Sequence, residues 1–319
     1  MDWKKFFDSL GMNGTKWQWR IMRWQKSWSD RGTTMRQQGK QVAYRHKFCD
    51  ECGALLDRND KECHRCGARA STWRGQAFRR AIGMVIPSSV PVSMTITSVN
   101  IIMFIVIVAM GGPQALFSPP REVMLRLGVL VPVLVHGGDY WTIITCGYLH
   151  FGIIHIGFNM LVLSQVGPML EDEIGASRFF TLYTLSLIGG AMLGLLVRGP
   201  VVVFVAGASG ALFGLIGFGV SYAHFRGGNA HAQRDFFLRW AFFAFIIGIL
   251  VPGIDNLGHL GGFLTGAALG YVIERERIHM PWLSRVWPKT MYVCIALTLA
   301  AFIWMIKANI TGYYDGVGG

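Results

Sequence analysis

Two side chains of this 319-residue chain have the chemistry of a nucleophile and its base. Ser209 begins an apolar helix candidate within Gly207-Ala208-Ser209-Gly210, and His259 begins another within residues 257–262. A serine and a histidine at matching depths of neighbouring apolar spans can meet, and neutral imidazole can then accept the serine proton. Polar groups of this kind inside apolar spans indicate a functional site. The sequence therefore predicts Ser209 as nucleophile and His259 as general base.

Small residues flank both side chains at helical spacing. Gly210 and Gly214 are four residues apart, while His259, Gly262 and Gly266 share one helix face. Small residues four apart let helices approach closely in a membrane, which would bring the serine oxygen within hydrogen-bond reach of the imidazole. We find no acidic third member at this depth, so a dyad is the simpler hypothesis.

The composition predicts the elements that must carry this pair. Hydrophobic residues make up 52% of the chain, charged residues make up 15%, and the mean hydropathy is +0.39. These values are typical of membrane proteins. A helix needs about 20 residues to cross a bilayer core. Seven stretches qualify, near residues 93–111, 143–166, 178–198, 204–223, 237–253, 256–273 and 290–308. The predicted fold class is an all-α polytopic membrane protein.

The basic residues predict the orientation. Eighteen of the 30 Lys and Arg fall within residues 1–92, so the net charge of +12 describes mainly an N-terminal soluble segment. With a cytoplasmic N-terminus, eight of the other Lys and Arg lie in cytoplasmic loops and four lie outside. Because cytoplasmic loops hold an excess of these residues, the N-terminus is predicted inside and the C-terminus outside. A plasma membrane or bacterial inner membrane is the expected location, with organelle membranes left open.

This orientation places polar groups from three spans at one depth. The second, fourth and sixth spans then run from outside to inside. His155 and Asn159 lie in the first half of the second span, Ser209 near the start of the fourth, and His259 near the start of the sixth. All four side chains are therefore expected toward the outer leaflet, in a water-containing cavity open to the outer face.

The order of these motifs matches a known family. Residues 141–273 resemble the rhomboid intramembrane serine proteases through His150-x4-His155-x3-Asn159, Gly207-x-Ser209-Gly210 and His259-x2-Gly262-x3-Gly266. The resemblance implies a six-helix protease core over residues 93–273. A cytoplasmic loop, a seventh helix and a short tail would then occupy residues 274–319, which gives a 6+1 arrangement. We expect the seventh helix to serve in packing or anchoring.

The resemblance also implies a role for each matching residue. Ser209 would be the nucleophile and His259 its base, with no cofactor needed for catalysis. His155, Asn159 and the backbone N–H of Ser209 would form the oxyanion hole. The supporting residues would be His150 with a structural role, Gly207 before the nucleophile, and Phe213 stacked on the base. The family commonly has Trp-Arg in the loop after the first helix, but here Trp141 precedes Thr142, so the packing of that loop is in question.

Four cysteines form a second motif, in the segment predicted to be cytoplasmic. Cys49-x2-Cys52-Gly53 and Cys63-x2-Cys66-Gly67 are separated by ten residues, a spacing that suits one tetrahedral Zn²⁺. Four thiolates leave no open coordination position, so the metal is predicted to be structural. The predicted ribbon covers residues 46–70, and a linker covers residues 71–92. A cytoplasmic protein partner is the preferred role, followed by a pure scaffold and then by nucleic-acid binding.

Residues 1–45 form a basic, Trp-rich segment. Trp17, Ile21, Trp24 and Trp28 follow one helical stripe. A helix of this kind suits the surface of an anionic membrane. The stripe could equally pack on the ribbon, which is too small to bury much surface by itself. Both interpretations stay open at this point.

Several other polar residues receive structural interpretations. Cys146 and Cys294 are interpreted as small apolar fillers within or beside spans. Glu122 and Asp139 are interpreted as surface charges in the outer loop. Asn256, one turn before His259, is a candidate cap of the sixth span.

The main functional hypothesis is a serine endopeptidase that cuts transmembrane segments of membrane proteins near their outer ends, inside the lipid bilayer. Helix-destabilising residues and a small side chain at the cut are expected in its substrates. The alternative is a noncatalytic membrane adaptor that binds client helices and recruits cytoplasmic partners through the ribbon. A transporter has no support, because no intramembrane acidic relay or inverted repeat is visible.

Overall fold

The computed structural model describes residues 46–48, 55–57, 60–62, 91–227, 230–251 and 253–314. The chain divides into two compact units, residues 1–82 and residues 83–319. The Trp-rich stripe of residues 17–28 lies outside the described residues. The same holds for the four predicted zinc ligands, Cys49, Cys52, Cys63 and Cys66.

The described part of the first unit contains a short antiparallel strand pair. Strand β1, His46–Phe48, pairs with β2, Leu55–Asp57, so that Phe48 lies opposite Leu55. Beyond β2 the backbone N–H of Asp57 donates to the Asp60 carboxylate at 2.9 Å. In sequence, Cys49 and Cys52 fall between these two strands.

The described part of the second unit is all-α and contains ten α-helices. Three of them, α2, α3 and α4, are short and lie between α1 and α5, while the other seven have 18 residues or more. The helices are α1 Pro91–Gly111, α2 Arg121–Arg126, α3 Pro132–His136, α4 Thr142–Thr145, α5 Ile153–Ile174, α6 Ala176–Arg198, α7 Ser209–Arg226, α8 His231–Leu250, α9 Asn256–His279 and α10 Trp287–Ile310.

Several of these helices can cross a membrane. Among the described residues, four are long and apolar enough by length and composition: α1, α5, α6 and the segment Trp282–Ile310 that includes α10. Helix α7 contains four glycines and α9 contains five, while α8 has three charged residues near its start, Arg234, Asp235 and Arg239. The protein is an integral, polytopic, all-α membrane protein, as the composition predicts.

The second predicted span was wrong in its position. It was expected over residues 143–166, whereas α5 runs from Ile153 to Ile174. Residues 142–148 form α4 and a 3₁₀ turn instead, and Tyr148 and Leu149 are buried there. Gly152 then turns the chain with φ of 136° before α5 begins. The other six predicted spans each overlap an observed long helix.

Helix α9 packs tightly against α6 and α7 through glycines. A methyl group on Gly262 would overlap the carbonyl oxygen of Gly210, and one on Gly266 would overlap that of Gly214. A methyl group on Gly190 of α6 would lie 2.6 Å from the carbonyl oxygen of Gly258. The close approach predicted from the small residues is therefore confirmed.

Two stretches between helices contact each other directly. The connecting segment, residues 112–152, joins α1 to α5, and the serine loop, residues 199–208, joins α6 to α7. Leu130 and Val205 exchange two backbone hydrogen bonds of 3.1 and 2.9 Å. The Val133 N–H also donates to the Val201 carbonyl at 3.2 Å. The connecting segment therefore holds the loop that leads into Ser209.

Candidate active site

Ser209 and His259 lie within hydrogen-bond distance of each other. Ser209 is the first residue of α7, and its Oγ lies 2.9 Å from Nε2 of His259, in the first turn of α9. His259 is 7% exposed, whereas Ser209 keeps partial exposure. If Nε2 accepts the serine proton, the imidazole carries its own proton on Nδ1. This arrangement is the one that a serine nucleophile and its base require.

An aromatic side chain fixes the plane of the imidazole. The ring of Phe213, one turn after Ser209, stacks on His259 with centroids 4.1 Å apart and planes 13° apart. On α8, Phe245 contacts Phe213 edge to face, with a centroid distance of 4.9 Å. The stacking restricts rotation of the imidazole, so its Nε2 stays directed at Ser209.

The serine loop reaches the site in a conformation that requires glycine. Gly207 has φ of 131°, and a Cβ there would lie 2.8 Å from Nε2 of His155. The Gly207 N–H donates to the Cys146 carbonyl at 2.9 Å. Gly207 thus allows the backbone to pass close to His155 immediately before the serine.

His155 presents an N–H toward this turn. The backbone N–H of Phe151 donates to His155 Nδ1 at 3.3 Å, so in the neutral ring the proton lies on Nε2. That nitrogen faces Gly207. Asn159 is 5% exposed and uses its side-chain N–H to bond the His155 carbonyl at 2.8 Å. An amide nitrogen carries two hydrogens, so a second N–H of Asn159 is left for another acceptor.

His150 lies behind His155. Its ring is fully buried and meets the His155 ring edge to face, with centroids 5.0 Å apart. Among the described residues, neither ring nitrogen of His150 has a hydrogen-bond partner. The Phe151 ring also stacks on His155, with centroids 6.1 Å apart, so two neighbouring rings contact the His155 imidazole.

Sequence reasoning missed an acidic residue at this site. Asp255 caps α9, because its carboxylate accepts a 2.9 Å hydrogen bond from the Gly258 N–H. Asp255 also forms an ion pair with Arg198 at the end of α6. The cap assigned to Asn256 was wrong, because Asn256 donates to the Gly248 carbonyl at 2.8 Å instead. The position of Asp255 one turn before His259 was the available signal. Its partner is 57 residues away, and no local pattern indicates that contact.

A small cavity adjoins the reactive pair. Its volume is about 30 Å³, and its lining includes Ser209, His259, Asp255 and Cys146. A water molecule needs roughly 10 to 15 Å³ of such volume, so the cavity can admit water beside the nucleophile. His155 and Asn159, which were expected in this lining, are not part of it.

Of the remaining structural interpretations, those of the two cysteines and of Glu122 are confirmed, and that of Asp139 is wrong. Cys146 and Cys294 are buried free thiols, as predicted, and Glu122 is exposed. Asp139 was wrongly interpreted as a surface charge, because it is 4% exposed and accepts hydrogen bonds from Tyr313 and Tyr314. Among the described residues, no cluster of three or more His, Cys, Asp or Glu could hold a metal ion.

Comparison with known proteins matches part of this chain to a described domain. Residues 137–276 match the Rhomboid domain. RHOMBOID-like protein 4 of Arabidopsis thaliana is 33% identical over 187 residues, covering 53% of this chain and 43% of that protein. Rhomboid protease GluP of Bacillus subtilis (strain 168) is 34% identical over 191 residues, covering 54% of this chain and 34% of that protein. Rhomboid-like protease 3 of Toxoplasma gondii is 30% identical over 209 residues, covering 63% of this chain and 75% of that protein.

The chain belongs to the rhomboid family. Its relatives include proteins named as proteases from a bacterium and from a protozoan. The chain spans less than half the length of the Arabidopsis and Bacillus relatives. The matched domain contains α4 to α8 and most of α9, and thus both Ser209 and His259.

Proposed function

We propose that this protein is an intramembrane serine endopeptidase in which Ser209 and His259 form the catalytic dyad. The observation that carries the proposal is the 2.9 Å distance between Ser209 Oγ and His259 Nε2. Membership of a family that includes named proteases supports it. The substrates would be transmembrane segments of other membrane proteins.

In the first half of the reaction, Ser209 Oγ attacks the scissile carbonyl carbon while His259 Nε2 takes the hydroxyl proton. The tetrahedral intermediate collapses as His259 returns that proton to the leaving amine, which leaves an acyl-enzyme on Ser209. A water then repeats the sequence, with His259 as base, and releases the new carboxyl terminus. The Phe213 ring stacked on His259 supports this role, because it keeps Nε2 directed at the serine.

Negative charge develops on the carbonyl oxygen during each attack. We propose that the Ser209 N–H, His155 Nε2–H and the second N–H of Asn159 donate to it. The Ser209 N–H lies at the N-terminus of α7, where the helix dipole favours negative charge. Removing one such donor typically costs about 3 to 4 kcal/mol of transition-state stabilisation. His155→Ala and Asn159→Ala should therefore lower kcat while leaving KM nearly unchanged.

The decisive experiment is cleavage of single-span reporters in liposomes, together with labelling of the active serine by a fluorophosphonate. Ser209→Ala and His259→Ala should each reduce cleavage about 10³-fold or more. Ser164→Ala on α5 and His224→Ala in the last turn of α7 are matched controls, because both side chains are exposed, and both variants should retain activity. A folded wild type that cuts no reporter and takes up no label would favour the noncatalytic adaptor that recruits cytoplasmic partners.

The substrate residue at the cut should be small. The cavity beside Ser209 measures about 30 Å³ and is lined in part by Gly190, Ala191 and Ala206. Reporters with Ala at the cut should therefore be cleaved faster than reporters with Phe, and helix-breaking residues nearby should help to expose the peptide bond. Equal cleavage of both reporters would contradict this preference.

The orientation is also a proposal: a cytoplasmic N-terminus, an outside C-terminus and cleavage near the outer face of a plasma or bacterial inner membrane. It rests on the distribution of Lys and Arg in the sequence. Single cysteines introduced at residue 118 and at residue 285 should be labelled by impermeant maleimide from opposite sides of sealed vesicles. Labelling of both from one side would contradict the proposal.

We propose that Cys49, Cys52, Cys63 and Cys66 bind one structural Zn²⁺. The Cys-x2-Cys spacing supports this proposal, as does the pairing of β1 with β2 on either side of the first cysteine pair. Metal analysis of the purified protein should give one zinc per chain. Cys49→Ser should lose it, whereas Cys146→Ser should keep it. Equal zinc content in both variants would contradict the assignment. We propose that the ribbon binds a cytoplasmic protein partner.

A further inference from the structure

The last described residues of the chain bond to a buried carboxylate in the connecting segment. The tyrosine pair, Tyr313 and Tyr314, follows α10 and donates to the two oxygens of Asp139 at 3.1 and 2.6 Å. Asp139 is 4% exposed and Tyr314 is 7% exposed. A buried carboxylate is costly unless its oxygens accept hydrogen bonds. Asp139 therefore needs the tyrosine pair to keep its position.

The phenols stay available as donors across the physiological pH range. Burial, followed by the hydrogen bond to Asp139, raises the pKa of Tyr314 well above its ordinary value. The charge of Asp139 raises the pKa of Tyr313 as well. Neither hydroxyl loses its proton near neutral pH, so both phenols remain hydrogen-bond donors to Asp139.

Helix α10 and Tyr314, which follows it, contact the connecting segment at further points. Asn309 donates to the Arg126 carbonyl at 2.6 Å. The Tyr314 ring lies 6.4 Å from the ring of Trp141, and Phe302 meets Tyr148 edge to face at 5.3 Å. These contacts reach three different parts of the connecting segment. Helix α10 is thus a structural support of that segment, beyond any anchoring role in the membrane.

A short covalent and hydrogen-bonded path leads from Asp139 to the nucleophile. The Asp139 carbonyl accepts the Thr142 hydroxyl at 2.7 Å, at the first residue of α4. Helix α4 ends at Thr145, and the next residue, Cys146, accepts the Gly207 N–H at 2.9 Å. Gly207 is two residues before Ser209. One end of α4 is therefore held by the residue that the tyrosine pair binds, and the other end holds the serine loop.

A second path runs through Trp141. Its ring fills the space beside Gly128, where any Cβ would overlap it, and Thr145 Oγ1 donates to the Gly128 carbonyl at 2.8 Å. Two residues further on, Leu130 forms the backbone bridge to Val205 in the serine loop. Both paths connect the end of α10 with residues that precede Ser209.

We propose that the tyrosine pair is a positioning element of the active site, which holds the serine loop through Asp139 and α4. The inference rests on the proposed proteolytic function, because its consequence is the placement of Ser209 against His259. Displacing a reacting group by 1 Å can cost roughly a hundredfold in rate, so a modest shift of the serine loop would be measurable.

The test compares the wild type with Tyr313→Phe/Tyr314→Phe, Asp139→Ala and the triple variant. The rate of Ser209 labelling by a small fluorophosphonate and kcat for a reporter should both fall about tenfold, with KM nearly unchanged. The triple variant should lose no more, because all three side chains act through one contact. Asp139→Asn, which keeps one acceptor oxygen, should fall between wild type and Asp139→Ala. Tyr292→Phe, an exposed tyrosine of α10, is the matched control and should label normally.

Amide hydrogen exchange gives a readout that does not depend on activity. Exchange in residues 128–134 and in the serine loop should be faster in Tyr313→Phe/Tyr314→Phe than in the wild type. Unchanged exchange in the serine loop of Tyr313→Phe/Tyr314→Phe would overturn the proposal, whatever the labelling shows. If the wild type is active, an unchanged rate of Ser209 labelling in this variant would overturn it as well. An inactive wild type would contradict the proteolytic function alone, and exchange would still decide whether the tyrosine pair holds the serine loop.

Discussion

Helices α8 and α9 follow each other in the chain and have similar lengths, 20 and 24 residues, but they are held in opposite ways. Helix α9 lies against α6 and α7 at distances that only glycine allows. Helix α8 buries three residues, Phe237, Ala241 and Gly248, and exposes large apolar side chains along most of its length. The histidine that is proposed to act as the base is on the helix with less freedom.

The difference indicates that one helix sets the geometry of the dyad, whereas the other controls how a substrate reaches it. The distance between Ser209 and His259 depends on backbone contacts between α7 and α9, which cannot relax without moving a helix. The position of α8 depends on a few side-chain contacts, so it can shift at lower cost. Perturbing α9 should therefore damage the chemistry, whereas perturbing α8 should change how a transmembrane substrate reaches it.

Among changes outside the dyad itself, the largest effect should come from Gly262→Ala. The added methyl would overlap the Gly210 carbonyl oxygen, so α7 and α9 would have to separate next to Ser209. We expect the rate of Ser209 labelling to fall about a hundredfold, and the free energy of unfolding to fall by about 1 to 3 kcal/mol. Labelling kinetics and thermal melting in detergent measure the two quantities.

Gly157→Ala provides the control for that substitution. Gly157 lies in α5, and an added Cβ there meets nothing within 4 Å. Helix propensity alone should make this variant slightly more stable. If Gly262→Ala labels as fast as Gly157→Ala, the separation between α7 and α9 does not control the dyad.

The comparison also explains what the sequence could predict. The pairing of α7 with α9 follows from glycines at a spacing of four, which is a local pattern and was predicted correctly. The bonds between Asp139 and the tyrosine pair join residues 174 and 175 positions apart, and no periodicity connects them. Residues 143–152 are as apolar as a span but pack inside the connecting segment, because Gly152 ends that run before α5. Hydropathy alone could not distinguish a membrane span from a segment that packs between helices.

A smaller effect is expected from Asp255→Ala, which tests how the start of α9 is held. The change removes the cap on the Gly258 N–H and the ion pair with Arg198. Loss of a cap typically costs about 1 kcal/mol, and a shift of the first turn would move His259. We expect kcat to fall about tenfold, which corresponds to about 1.4 kcal/mol.

Asp255→Asn separates the two contacts, because asparagine caps helices well but carries no charge. It should lose about threefold in kcat, which corresponds to less than about 1 kcal/mol. If Asp255→Asn and Asp255→Ala are equally impaired, the charge pairing with Arg198 holds the histidine and the cap does not.

The far end of α9 should affect stability but not chemistry. Glu276 accepts hydrogen bonds from Arg178 and from the Trp287 indole, both at 2.6 Å, and is 3% exposed. It lies 17 residues beyond His259, which at 1.5 Å per residue is about 26 Å along the helix. Glu276→Gln should lower the melting temperature by about 3 to 6 °C, with labelling of Ser209 at the wild-type rate. A variant with normal melting and slow labelling would contradict this division.

The smallest effect should come from Phe245→Ala on α8. Phe245 contacts Phe213 at 4.9 Å and Phe263 at 6.3 Å, and aromatic pairs of this kind contribute about 0.5 to 1.5 kcal/mol. Losing them should loosen α8 and raise cleavage of a transmembrane reporter about twofold to threefold, while a small fluorophosphonate labels Ser209 at an unchanged rate. Phe243→Ala, which removes an exposed ring from the same helix, should change neither. If Phe245→Ala slows labelling instead, the Phe213 stack on His259 depends on α8, and that helix belongs with α9 in holding the base.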